Sequence, residues 1–317
     1  MSAEWVQPKV IIHGGAGSSL RGKGGAEVVR QSLYRAIDEI YALLLAGASA
    51  QTCAVQGCQL LEDDPRFNSG TGSVLQSDGQ IRMSASLMDG STQRFSGVIN
   101  VSRVKNPIAL ALELQNSHDR VLSDYGSAEL LRELAIPTYD PLTEIRLQEW
   151  MLERQGNFTR EMAGVVAERE LVEDGARRGT IGVVVLDSQG RLAVGTSTGG
   201  KGFERIGRVS DSAMPAGNYA TNQAAVSCTG IGEDIIDECL AAKIVIRATD
   251  GMPLEKAFER SFKESHRNQR DLGAIGIDHT GTIAWGKTSQ VLLAAYHTGE
   301  KIGDTLDWVG ENLVGCV

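Results

Sequence analysis

The chain has 317 residues, 42% of them hydrophobic and 22% charged, with a formal net charge of −9. That length buries a sizeable core in one large domain or two ordinary ones. The acidic balance, with Arg177-Arg178 as the basic doublet and no aromatic-studded basic face, excludes nucleic acid as an expected partner.

In chain order, residues 9–13 read as a short strand running into a glycine-rich turn, Gly14-Gly15-Ala16-Gly17. Residues 26–46 carry Val29, Leu33, Ile37, Ile40 and Leu44 at helical spacing, the pattern of an amphipathic helix. A second helix is predicted over 52–61, then a hairpin of 72–76 and 81–87 around Ser77-Asp78-Gly79, then a strand over 95–104. Residues 111–135 read as mainly helical, and 143–178 are charged, the second half of that stretch having the character of a mobile linker. A second hairpin, 180–186 with 191–198, turns at Asp187-Ser188-Gln189-Gly190. Strand 223–228 leads through Gly230-Ile231-Gly232 into a long helix over 233–247, and another helix starts near Pro253. Strands 273–277, 282–285 and 290–296 close the chain. Strands at both ends of each half with helices between them predict an α+β fold, sheets covered by helices rather than alternating βαβ units.

No apolar run approaches membrane-spanning length, and residues 1–10 lack an apolar signal core, so the expected location is the cytoplasm, away from membranes. The five cysteines (Cys53, Cys58, Cys228, Cys239, Cys316) are odd in number and lack metal-ligand spacing, as suits buried thiols in a reducing compartment. The histidines are scattered, and nothing resembles a catalytic zinc site.

The step most suggestive of chemistry is Gly179-Thr180, where a charged linker meets an apolar strand. Cut there, Thr180 would gain a free α-amine beside its hydroxyl, a base next to a nucleophile. Gly195-Thr196-Ser197-Thr198-Gly199 invites a rival: it matches a G-x-S-x-G elbow, with Ser197 as nucleophile, His13-Gly14-Gly15-Ala16-Gly17 as oxyanion turn and His279 or His297 as base. An elbow needs a parallel strand, a sharp turn and a helix, whereas loop-like residues come after Gly199. Thr229 and Gly230, before a helix start, offer donors for an oxyanion. Arg208 and Asp211, three apart, form either a solvated surface pair or a grip for an α-carboxylate and α-ammonium. Asn68 is by default a turn residue.

Taken in order, these clusters resemble the plant-type asparaginase and isoaspartyl peptidase family of N-terminal-nucleophile hydrolases. The matching segments are 13–17, 67–73, 86–90, 104–108, 179–180, 196–200, 207–212 and 227–233. The resemblance implies a single domain over 1–317 with a four-layer αββα sandwich, two mainly antiparallel sheets between helical layers. It implies self-cleavage into a 1–179 α subunit, whose linker covers about 155–179, and a 180–317 β subunit, two of each forming a heterotetramer. It implies hydrolysis of L-asparagine and β-aspartyl dipeptides, with Thr180 as nucleophile and Thr198 supporting it. Arg208 and Asp211 would hold the substrate's α-carboxylate and α-amine with help from the Gly232 carbonyl. Thr229 and Gly230 would form the oxyanion hole, and Asn68 would position the reacting groups. No catalytic cofactor is implied. A structural sodium ion is, held by backbone carbonyls of the loop containing Leu61, Glu62, Asp64, Phe67, Ser69 and Thr71.

The chain departs from the family pattern at Ser210, Ala213, Arg82, Ser84 and Arg178, which touches pocket shape and cleavage rate rather than a catalytic group. The altered flanks at Arg178 and Ser210 motivate an alternative, an amino-acid-binding scaffold that keeps the fold and never matures.

Overall fold

A computed structural model describes residues 5–17, 25–155, 179–308 and 312–317. In chain order its elements begin β1 (Lys9–Gly17), α1 (Ala26–Leu45), α2 (Ala50–Glu62), β2 (Met83–Asp89), β3 (Arg94–Val101) and α3 (Pro107–Glu113). They continue with β4 (Val121–Ser123), α4 (Asp124–Glu133), α5 (Glu144–Gln155), β5 (Ile181–Leu186), β6 (Leu192–Thr198), β7 (Asn218–Ala220) and β8 (Ala224–Gly230). The last are α6 (Gly232–Glu238), α7 (Leu240–Thr249), α8 (Leu254–Arg267), β9 (Leu272–Asp278), β10 (Ile283–Lys287), β11 (Val291–His297), β12 (Ile302–Asp304) and β13 (Val314–Cys316).

β5 shows why the molecule is layered. Strand geometry sends alternate side chains to opposite faces. Ile181, Val183 and Val185 enter a core shared with α1, α2 and α3, while Val184 and Leu186 enter a second core against Ala225, Ile275 and Ile277 of the other sheet. Both faces are apolar because both are covered, hence the unbroken apolar run in the sequence. β1 does the same, with Val10 and Ile12 on the helix side and Ile11 between the sheets. The larger sheet has eight strands in the order β12-β11-β1-β5-β6-β2-β3-β4, and the smaller has five, β13-β10-β9-β8-β7. Pairing is antiparallel except for β3 with β4. The far side of the smaller sheet packs on α7 and α8 through Val245, Phe258 and Phe262. The result is the α+β, four-layer αββα sandwich that the resemblance implies.

Local readings differ in four places. The glycine-rich residues 14–17 are strand, not turn: β1 continues through them with a bulge between His13 and Ala16. The hairpin over 72–87 does not form, and β2 pairs with β3 and β6 instead. Its first arm is occupied elsewhere, since Val74 N–H donates to Asn68 Oδ1 at 2.9 Å, Leu75 accepts from Phe203 N–H at 2.8 Å, and Gln76 accepts from Trp150 Nε1 at 3.0 Å. The expected long helix over 233–247 is two, α6 and α7, broken at Cys239, whose φ of 46° and ψ of 46° are left-handed. Within 111–135, helix gives way to a 3-10 turn at Leu114–Asn116 and to β4 before α4 resumes. Of the charged stretch 143–178, residues up to Gln155 form α5, and the expected linker over about 155–179 lies, but for its two end residues, outside the described residues.

Candidate active site

The β5–β6 register builds the centre. Ile181 pairs with Ser197, so Thr180, one residue before β5, lies beside Thr198, the last residue of β6. Thr180 Oγ1 donates to Thr198 Oγ1 at 3.1 Å, and Thr198 Oγ1 also accepts Gly200 N–H at 3.1 Å. Gly179 is buried, and its carbonyl accepts the Asn68 N–H at 3.1 Å. Asn68 is tied further by Nδ2 to the Gly200 carbonyl at 2.7 Å and by its own carbonyl to Gly199 N–H at 2.8 Å. Asn68, by default a turn residue and by the resemblance a positioning one, is buried and fastens the 199–200 turn to the peptide between Gly179 and Thr180.

A buried polar belt between the sheets supports this rung. The His13 ring nitrogen Nε2 shares a 2.9 Å hydrogen bond with Ser227 Oγ, and Ser227 Oγ lies 2.7 Å from Thr196 Oγ1. Burial pushes the His13 imidazole down to about 3, against a hydrogen bond to the Thr180 backbone, so the ring is neutral. A Cβ at Gly182 would collide with Ser227 Oγ and His13 Nε2, which is why the rung below Thr180 is glycine. On β8, Thr229 Oγ1 accepts Ala16 N–H at 3.1 Å, which leaves its own proton without an acceptor among the described residues. Gly230 comes next at φ +129°, with a Cβ position 2.6 Å from Leu272 Cα, so only glycine fits. The turn leads into α6, whose first residue is Gly232.

Arg208 and Asp211 do not form the surface pair that their spacing allows. Asp211 is buried, and its Oδ2 has no hydrogen-bond partner among the described residues. Burial raises its carboxyl to about 6, opposed by the nearby Arg208 charge. Arg208 instead forks onto Glu233 in the first turn of α6, Nε to Oε1 at 2.8 Å and Nη2 to Oε2 at 3.1 Å. Burial alone would raise Glu233, but the Arg208 fork holds it down at about 2. Gly232 sits between the two groups: a Cβ there would lie 2.5 Å from Arg208 Nη2 and 2.8 Å from Asp211 Oδ1. A cation and a lone buried carboxylate oxygen thus face one backbone segment, the complement of a zwitterionic amino acid.

Ser197, the nucleophile of the rival reading, is corrected by strand alternation. Thr196 and Thr198 face the other sheet, whereas Ser197 is buried on the helix side and donates to Glu62 Oε1 at 2.6 Å. β6 is antiparallel to both neighbours, and among the described residues no helix directly succeeds it. His279 lies in an exposed turn, and His297 stacks on Tyr41 with ring centroids 3.5 Å apart. That constellation is not an elbow.

The loop after α2 carries the residues expected around sodium. Leu61 and Glu62 end α2; Asp64 is paired with Arg66 at 2.8 Å, and Phe67 is fully buried against Gly14. The Glu62 carbonyl already accepts Thr71 N–H at 2.7 Å, while the carbonyls of Ser69 and Thr71 meet no donor among the described residues. Among the described residues no group of three or more His, Cys, Asp or Glu could hold a metal ion, and no helix is long and apolar enough to cross a membrane.

Sequence reasoning missed three contributors: the Ser227–Thr196 pair behind Thr180, the Glu62 carboxyl, and Glu233. A signal existed for two of them. Glu62 continues the buried face of α2 four residues after Cys58, and Glu233 opens a helix directly after Gly230-Ile231-Gly232.

An αββα sandwich with a hydroxyl residue heading an inner strand is the architecture of the N-terminal-nucleophile hydrolases. The sequence profile described as asparaginase matches residues 6–307, and the chain belongs to that family. It is 72% identical to the isoaspartyl peptidase/L-asparaginase of Nostoc sp., over 98% of each chain. It is 64% identical to the protein of that name from Synechocystis sp., covering 95% of this chain and 91% of that one, and 35% identical to the human one, covering 92% and 94%.

The polar belt yields a prediction. Gly182→Ala should lower stability by about 1–3 kcal/mol, because the new methyl must displace Ser227 or His13 in a packed interior. A melting temperature equal to wild type would show that the sheets separate there without cost.

Proposed function

We propose that this enzyme hydrolyses β-aspartyl dipeptides and L-asparagine to L-aspartate and an amino acid or ammonia, with Thr180 as its nucleophile after self-cleavage. The observation that carries the reading is the Thr180–Thr198 hydroxyl contact beside a Gly179 carbonyl already polarised by the Asn68 N–H. In the uncut chain, Thr180 Oγ1 attacks the Gly179 carbonyl carbon, its proton leaving toward Thr198. The C–N bond breaks, giving an ester and a free Thr180 amine. Water then opens the ester to a Gly179 carboxylate. The fragments are 1–179 and 180–317.

In the mature enzyme the α-amine, whose ordinary pKa is about 7.7–8.0, takes the Thr180 hydroxyl proton. Oγ1 attacks the substrate's side-chain carbonyl, and the oxyanion is met by the Thr229 hydroxyl, whose proton is uncommitted, and by the main chain at Gly230. Collapse expels the amine, protonated by the Thr180 ammonium, and water hydrolyses the remaining ester. Arg208 holds the α-carboxylate, and Asp211 Oδ2 with the Gly232 carbonyl holds the α-ammonium, which supplies the partner that Oδ2 lacks. Both substrates present that same end. The Thr180–Thr198 contact and the unpartnered Asp211 Oδ2 support the enzyme reading over the scaffold alternative.

Two cleaved units assemble as an α2β2 heterotetramer, for which exposed Tyr125, Ile145 and Leu152 supply apolar surface. The free cysteines suit a reducing cytoplasm. A structural sodium fits the 61–71 loop in kind, since oxygen donors dominate it and the Ser69 and Thr71 carbonyls lack partners among the described residues. The main chain of Leu61, Glu62, Asp64, Phe67, Ser69 and Thr71 would hold it, and its charge would stiffen the loop that presents Asn68.

Thr180→Ala should remain a single chain and be inactive, while Thr180→Ser cleaves and retains some turnover. N-terminal sequencing of the smaller wild-type fragment checks this, and any first residue other than Thr180 refutes it. Aspartate binding to the cleaved enzyme, measured by calorimetry, should weaken as pH falls through about 6, because Asp211 takes up a proton and loses its hold on the ammonium. Affinity independent of pH from 5 to 7 (roughly the window in which a carboxyl so shifted titrates) would remove Asp211 from the site. Replacing sodium with tetramethylammonium should lower the melting temperature; equal melting in both salts would leave the loop without a cation.

A further inference from the structure

The Glu62 carboxyl is buried on the helix side of the larger sheet, directly behind Thr198. Ser197 Oγ donates to Glu62 Oε1 at 2.6 Å, and Ser69 Oγ donates to Ser197 Oγ at 2.7 Å. Ile108 N–H, in the first turn of α3, donates to the same Oε1 at 3.1 Å. Ser197 is the neighbour of Thr198, and Ser69 is the neighbour of Asn68. One carboxyl therefore fixes the two segments that touch Thr180 and Gly179 from either side. We propose that Glu62 is a positioning residue for the reaction: through Ser197 and Ser69 it holds Thr198 and Asn68 in register with Thr180. This rests on the reading of Thr180 as nucleophile.

The geometry requires an acceptor at Oε1 and nothing ionic. Among the described residues Oε2 has no hydrogen-bond partner, and no cation pairs with the carboxyl to balance a charge. The titratable groups facing it are Cys58, one turn earlier on α2, and Asp63, the next residue, itself paired with Lys105 at 2.6 Å. β6 contributes Ser197. α3 contributes the Ile108 amide, and its capping residue Asn106 lies close by, with Nδ2 donating to Asp63 Oδ1 at 3.0 Å. Burial, opposed first by the Ser197 hydrogen bond, raises Glu62 to about 8, so it is a neutral acid at neutral pH.

Glu62→Gln keeps the shape and the carbonyl acceptor without an ionisable proton, whereas Glu62→Leu removes the acceptor. Turnover of a β-aspartyl dipeptide is measured per cleaved chain at one pH, with melting temperatures as a check on folding. Glu62→Gln, which keeps the acceptor for Ser197 Oγ, should hold kcat and KM within about twofold of wild type. Glu62→Leu should lose kcat by about tenfold or more with KM within about twofold, since Arg208 and Asp211 are untouched. Wild-type kcat in folded Glu62→Leu, or a loss confined to KM, overturns the proposal. If Glu62→Leu does not fold, Ser197→Ala, which breaks the same relay, decides: wild-type kcat in that variant overturns the proposal. Wild type that neither cleaves nor turns over would strike the reading of Thr180, whereas normal wild-type turnover with indifferent Glu62 variants strikes Glu62 alone.

Discussion

The antiparallel register between β5 and β6 is the constraint on which the site depends. Because Ile181 pairs with Ser197, the alternation of side chains sets Thr180 and Thr198 together between the sheets and turns Ser197 away toward the helices. A slip of β5 by one residue would bury the proposed nucleophile in the helix-side core while Thr198 stayed between the sheets. The apolar residues on both faces of β5 forbid that slip, since every one of them would change core. Ordinary hydrophobic packing thus fixes the chemistry.

The polar groups between the sheets form the second requirement. His13, Thr196 and Ser227 bond one another in a region otherwise filled by aliphatic side chains, and each is fully buried. Such groups tolerate burial only when partnered, so they fix the distance and lateral position of one sheet against the other. The Ala16 N–H to Thr229 Oγ1 bond adds a further tie between β1 and β8, two residues beyond Ser227.

Much of the architecture was legible in the sequence, because buried strands and amphipathic helices write their period directly into residue type. The helix at 26–46, the hairpin from 180 and the strands from 273 onward occur within a residue or two of expectation. The illegible parts share one cause: backbone groups satisfied at long range. Residues 72–76 have strand-like composition, yet Asn68, Phe203 and Trp150 take their hydrogen bonds. Cys239 breaks a helix that propensity would continue, because α7 must turn to lay Leu240, Ile244 and Val245 on the smaller sheet. At the site, Thr180, Thr198, Asn68 and Thr229 were visible through motif order. The true partner of Arg208 was not, since Glu233 lies 25 positions away and only the fold brings it near.

That partnership changes what an arriving anion meets. The Arg208 guanidinium is not a bare positive charge; one edge is already neutralised by Glu233. Binding a carboxylate there is an addition to a half-filled fork, and the electrostatic gain is correspondingly modest. Simple inorganic anions gain only that modest term and are repelled by Asp211 whenever it is ionised. A molecule that brings an ammonium as well converts this repulsion into attraction. In the proposed binding site the ionised carboxylate would thus disfavour simple anions while leaving the fork to a zwitterion.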